Sequence, residues 1–321
     1  MNAKMFKLNC LVRIKVPGVM GNSRKVKVSD DQVWKAVGPL PDSMRDEEKR
    51  ALFDAAKERM TQGKKLVVCP ELKAATSAVS AVKSALVSEF CNPSFIDDGW
   101  FLVRLASVEA FNGRLRELNA RITEPVEAFA DVLPAQVEIA RRCMGAEFNA
   151  DHYPTPEAIR AYPGVSASFI SFEVPEGLPP EIRAEEEAKL RAQFAEASKA
   201  IVGALWSEFA ELVAHIVGRL TPGEDGKPKT FQKGTVENLT QFIGAFENRN
   251  AFNDENLAEV VKRAKGIIES VGGIGGAGST SEKLRDFEAI RVQTRDAFGA
   301  LKIQIDAGVA ELPTRAFSFD E

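Results

Sequence analysis

Two long apolar seams at helical spacing, on residues 105–133 and 190–220, constrain this chain more than any other feature. The first runs Leu105, Val108, Phe111, Leu115, Leu118, Ile122, Val126, Phe129, Leu133. Its steps average about 3.5 residues, the coiled-coil period. The second runs Leu190, Phe194, Ala197, Ile201, Leu205, Phe209, Leu212, Ile216, Leu220. Its mean step of about 3.75 makes the stripe drift around the helix instead of supercoiling tightly. A helix from Ile182 to Leu220 is roughly 58 Å long at 1.5 Å per residue. Its first turns are charged (Glu185, Glu186, Glu187, Lys189, Arg191) and are expected in solvent. Its later half is apolar on most faces (Val202, Trp206, Val213, Val217 besides the seam), so burial on more than one side is expected. A strand and loop between the seams reverse the chain, and the two helices are expected to pair antiparallel.

The remaining patterns are short. Residues 5–16 place Phe6, Leu8, Cys10, Val12, Ile14 and Val16 on one face, a half-buried strand. Residues 24–28 alternate again after Pro17-Gly18 and Gly21-Asn22, which predicts a basic hairpin. Ser29-Asp30-Asp31-Gln32 is a capping-box pattern opening a short helix. Helices are expected over 44–62 and from Pro70 to Phe90, and short strands at 66–68, 100–103 and 170–174. Asn92-Pro93 reads as a turn. Pro125 should bend the first seam's helix, and Pro134 should start a new helix ending near Phe148. Thr155-Pro156-Glu157 is a helix start. Further helices are expected at 234–247, 254–270 and 281–309. The fold class is therefore mainly α with a small antiparallel β element (α+β): a long antiparallel helical hairpin in a helical body.

At 321 residues, with 45% hydrophobic and 27% charged residues, the chain suits one large or two medium domains with an adequate core. Three segments are expected: 1–104, a basic β-hairpin with helices; 105–220, the helical hairpin; and 221–321, C-terminal helices, a Gly-rich linker and a tail. Net charge is −4, too mild to imply a polyanion partner for the whole chain. Cys10, Cys69, Cys91 and Cys143 are scattered without CxxC, and His152 and His215 are the only histidines. No zinc site follows from such spacing, and the cysteines read as reduced core thiols of a cytoplasmic protein. Lys4, Lys7 and Arg13 interrupt the N-terminal apolar runs, so no signal peptide is expected, and no stretch is expected to span a membrane.

No residues assemble a catalytic centre. Gly273 and Gly278 have the first spacing of a phosphate loop and Ser279-Thr280 follow, but the lysine is missing and a helix precedes, so a flexible linker is the reading. Asp151, His152 and Ser166 lack a nucleophile elbow. No catalytic residue, cofactor or metal is therefore assigned. Two binding candidates stand out. Residues 1–28 hold seven cations and no acid, so Lys7, Arg13, Lys15, Arg24, Lys25 and Lys27 are candidates for contact with nucleic acid or an acidic partner. Near the C-terminal end, Phe317 and Phe319 are candidates for a tether into a partner's groove.

Several motifs carry a resemblance. Gly99-Trp100-Phe101-Leu102-Val103 leads into a long helix containing Phe129, and a further helix ends at Phe148. Tyr153-Pro154-Thr155-Pro156-Glu157-Ala158-Ile159-Arg160 and a strand closing on Val174-Pro175 follow. Later come Phe231-Gln232-Lys233-Gly234-Thr235-Val236-Glu237-Asn238-Leu239, then Phe242, Phe246 and Asn253-Asp254. Over residues 5–270 this resembles a phage- and mobile-element-borne family known as domain of unknown function 3150 (DUF3150). The resemblance brings no catalytic residues. It implies genomic company with MoxR-type AAA+ ATPases and with von Willebrand A-like proteins. The leading expectation is a non-enzymatic phage accessory protein or adaptor acting through protein–protein contacts, with a MoxR-type ATPase as partner. The alternatives are a DNA-associated phage protein using the basic hairpin, and a structural homo-oligomer assembled through seam surface.

Overall fold

The computed structural model describes residues 8–19, 30–41, 44–61, 67–94, 99–145, 148–223, 229, 233–273 and 279–312. Its elements in chain order are β1 (Asn9–Lys15), α1 (Asp30–Val37), α2 (Asp46–Thr61), α3 (Pro70–Phe90), β2 (Asn92–Pro93) and β3 (Trp100–Arg104). They continue with α4 (Val108–Met144), α5 (Pro156–Arg160), β4 (Ser166–Ile170), α6 (Pro180–Leu220), α7 (Lys233–Arg249), α8 (Glu255–Gly273), α9 (Thr280–Asp286) and α10 (Glu288–Glu311). The chain is mainly helical with one small sheet of order β2-β3-β1-β4. It forms two compact units from interleaved segments: Met1–Arg13, Leu86–Phe111 and Ser168–Glu321 in one, Ile14–Ala85 and Asn112–Ala167 in the other. Divisions at 104 and 220 fall inside the first unit.

In the first unit, β3 pairs antiparallel with β1 (Cys10↔Val103, Arg13↔Trp100) and with β2 (Asn92↔Leu102). Asn92-Pro93 is thus a short edge strand, where a proline's missing N–H costs no ladder bond, and not the expected turn. The second seam forms as read. Phe194, Ile201, Leu205, Phe209, Ile216 and Leu220 are buried, and Val202, Trp206 and Val213 beside them broaden the buried face. Its partner differs from expectation. The most extensive packing of α6 is with α10, and α7 lies along it too. Lys229 reaches Gly218 O, Phe242 stacks on Phe209, Arg249 pairs with Glu208, and the Trp206 indole donates to Asp254 Oδ2 at 2.8 Å. The two series run in opposite directions, so α7 is antiparallel to α6. The pairs Gly272–Lys283 and Arg263–Gln304, and the seat of Trp206 on Gly308, then carry α10 back antiparallel to α6. The two seams expected to form one antiparallel hairpin fall mainly in different units, and within its own unit α6 is paired with α10, a contact no local pattern encodes.

Short polar ties fix the sheet to the α7–α8 turn. Asn9 Nδ2 donates to Ala251 O and Asn92 Nδ2 to Arg249 O, while Arg104 holds Glu247 O and Asn253 Oδ1. Two of the acceptors, Glu247 O and Arg249 O, are carbonyls at the end of α7, where helical partners run out.

In the second unit, Phe111 having been left behind in the first, Leu115, Leu118, Ile122, Val126, Phe129 and Leu133 of α4 are buried as the first seam requires. The helix runs through Pro125 and Pro134 instead of restarting at Pro134. Each proline forfeits one helical hydrogen bond, and the apolar stripe on both sides of them holds the helix together. Asn119 takes the backbone of Val165 in both directions, accepting from its N–H at 2.9 Å and donating to its carbonyl at 2.8 Å. Thr155 caps α5 by accepting from Ala158 N–H, as its Thr-Pro start suggested.

Other expectations shift locally. Val67 and Val68 lie in an irregular segment, not a strand. The strand expected at 170–174 ends at Ile170. The helix expected over 281–309 is two helices parted at Phe287, where the Arg291 guanidinium binds the Leu284 and Arg285 carbonyls freed by the break. Finally, α6 contains an 18-residue window of mean hydropathy 1.5, long and apolar enough to cross a membrane, against the sequence reading. In this fold the window contributes Ile201, Leu205, Phe209, Val213 and Ile216 to the core.

Candidate functional site

A concavity of about 720 Å³ lies within the first unit. Four separated segments build it: Asn9 and Cys10 of β1, Leu105 just after β3, residues 171–174 with Glu176 after β4, and Arg183, Glu187, Leu190 and Arg191 on the first half of α6. Leu105 opens the first seam in sequence, yet it sits in a short 3-10 turn ahead of α4 and is 46% exposed. Phe172 is buried, with its ring 5.6 Å from that of Phe194, so the apolar floor is tied to the core.

One wall is a ladder of charge. Glu187 Oε1 accepts from Arg183 Nε at 3.0 Å, and its Oε2 accepts from Arg191 at 3.4 Å. The spacing of four residues in each direction stacks the three side chains on one helix face. Beyond them, Lys189 bridges Glu185 at 2.7 Å and Glu186 at 3.0 Å, and these contacts hold the Glu185 carboxyl below its ordinary range. Opposite the ladder, the exposed Glu173 and Glu176 have no ion pair among the described residues. The groove therefore combines an irregular backbone segment, an apolar floor of Phe172, Val174, Leu190 and Leu105, and charges of both signs on its rim. Such a surface can hold an extended peptide by alternate side chains. Among its described lining residues there is no nucleophile–base pair: the Cys10 thiol is buried and pushed up by desolvation, the wrong direction for a nucleophile.

Among the residues named from sequence, Arg13 and Lys15 lie on β1 and are exposed. The Arg13 guanidinium stands 6.0 Å from the ring centroid of Trp100, its cross-strand neighbour. β1 lies between β3 and β4 in the sheet, and the hairpin partner expected at 24–28 lies outside the described residues. Lys7, Arg24, Lys25, Lys27, Phe317 and Phe319 lie outside the described residues. His152 is in an exposed turn beside Asn149, and His215 is exposed on α6. Among the described residues no cluster of His, Cys, Asp or Glu suits a metal ion. Cys10, Cys69, Cys91 and Cys143 are free thiols.

The groove residues escaped sequence reasoning. The i, i+4 spacing of Arg183, Glu187 and Arg191 was visible, but it reads equally well as a solvated helix face. No protein-family model matches the chain, and neither do characterised proteins or solved structures.

Proposed function

We propose that the chain is a non-enzymatic accessory protein that works by holding an extended segment of another protein in this groove. Following its resemblance to the phage-borne family, the partner is a MoxR-type AAA+ ATPase and the protein its adaptor. One observation supports the reading: an open groove in which an apolar floor continuous with the core lies between a charge ladder on α6 and two carboxylates, Glu173 and Glu176, with no ion pair among the described residues. Seating two large apolar side chains there contributes about 1.5–3 kcal/mol each before ordering costs. Co-purification with the MoxR-type ATPase encoded nearest its gene, repeated with Leu190→Glu, tests it. Binding lost in the variant is the expected result. Absence of binding by the unaltered protein, with no effect on ATP hydrolysis, contradicts it.

A second reading, contact with nucleic acid, is favoured by the exposed Arg13 and Lys15 on one strand and by the Arg13–Trp100 pair, which offers a cation beside a ring. A salt-dependent mobility shift weakened by Lys15→Gln supports it, and no shift at low salt excludes it.

A further inference from the structure

We propose that the groove selects its occupant by charge: it takes a protein segment whose large apolar side chains are flanked by lysine or arginine, and it turns acidic segments away. The inference rests on the reading above and names the chemistry of the segment held.

The charges that line the groove are not equivalent. Those on α6 are Arg183, Glu187 and Arg191, and each arginine is hydrogen-bonded to the carboxylate between them. Lys189, on the same half of the helix, is held by Glu185 and Glu186 in the same way. A cation already paired gives up one carboxylate to take another, so an acidic ligand gains little there. Glu173 and Glu176 differ. Both are exposed in the irregular segment after β4, and neither has an ion pair among the described residues. A lysine or arginine brought to them breaks no existing pair. The unmatched charge of the lining is therefore negative. At an exposed rim such a contact is weak, so charge decides which segment is taken more than how tightly it is held.

The apolar lining sets the spacing. Phe172 and Val174 flank Glu173 in sequence, and Val174 is two residues from Glu176. Phe172 is buried against Phe194, while Val174 and Leu190 are half-buried and have apolar surface left to cover. A segment that covers this floor and also meets the carboxylates needs apolar and basic side chains close together. A run of lysine alone leaves the floor wet, and a run of leucine alone leaves the carboxylates unmatched.

The test selects binders from a random linear peptide library displayed on yeast. The baits are the full chain and, in parallel, Glu173→Lys/Glu176→Lys. Labelled synthetic copies of the selected peptides are then measured by fluorescence polarisation. Peptides taken by the unaltered chain are expected to join lysine or arginine to large apolar residues. They should bind Glu173→Gln/Glu176→Gln about threefold to tenfold more weakly and lose binding to Leu190→Glu. The charge-reversed chain should select aspartate or glutamate in place of the basic residues. Circular dichroism confirms that each variant is folded, and Leu190→Ala replaces Leu190→Glu if the latter is not. Selected peptides that are acidic or uncharged, yet released by the Leu190 variant, overturn the charge inference and leave the peptide groove standing. So does binding that ignores both changes at Glu173 and Glu176. Peptides that bind the Leu190 variant unchanged, or a selection that yields none, overturn both.

Discussion

The Trp206 indole lies against the backbone of Gly308: an ideal Cβ on Gly308 would stand 2.4 Å from both Cη2 and Cζ3 of the ring. A buried tryptophan thus sets the closest approach of α6 and α10, and a glycine makes room for it. At its other end the indole N–H donates to Asp254, whose second oxygen accepts from Leu257 N–H at the start of α8. One side chain therefore connects three helices.

Gly308→Ala is expected to destabilise despite alanine's better helix propensity. Overpacking costs about 1–3 kcal/mol, against roughly 1 kcal/mol gained from propensity. Gly299→Ala on the same helix meets nothing within 4 Å and should stabilise by up to about 1 kcal/mol. Urea denaturation of both variants checks the contrast in sign.

Asp254→Ala removes an N-cap and leaves the buried indole N–H without this acceptor. The combined cost is about 2–4 kcal/mol. Asp254→Asn keeps one oxygen, enough to accept from Leu257 N–H or from the indole but not from both, and should cost less than Asp254→Ala. Thermal or chemical denaturation of the pair checks it.

The elements that the sequence made legible are those with local causes. Pro70 at a helix start and Asn92-Pro93 beyond Phe90 bracket α3, and its bounds follow from them. The seams of α4 and α6 follow from period alone. What sequence could not supply is which faces meet. Nothing near Trp206 announces a glycine about a hundred residues later, so α10 was invisible as the partner of α6. The groove suffers the same way, since β1, Leu105, the segment after β4 and α6 come together only through tertiary packing. Pro134 misled because its local penalty is smaller than the stabilisation from burying Val126, Phe129 and Leu133.

Alkaline pH should unfold the protein through Cys91. Burial pushes its thiol up to about 12, with Arg249 opposing weakly and Cys10 adding slightly. An unfolded thiol ionises near the ordinary value of 9.0. Between these values the unfolded chain binds fewer protons than the folded one. Stability is therefore complete below pH 9 and falls toward pH 12, by about 1.4 kcal/mol per pH unit from this group. Urea titrations between about pH 8 and 10.5 should show that slope, and Cys91→Ala should make it shallower whatever its baseline stability.

In the second unit, Asn119→Ala removes two hydrogen bonds to Val165 and should cost about 1–3 kcal/mol. Gly164→Ala should also destabilise, since its φ is +75° and a Cβ would lie 3.0 Å from Asn119 Oδ1. Denaturation of the singles and the double checks it: part of the Gly164→Ala cost should vanish when Asn119 is already alanine, making the two effects less than additive.

The groove beside α6 is the centre of this picture, and hydrogen exchange with and without the MoxR-type ATPase tests it most directly. Slowed exchange in the complex should fall on residues 171–176 and 183–191. A complex that forms while those amides exchange unchanged, with protection on the strand carrying Arg13 and Lys15 or elsewhere, would contradict it.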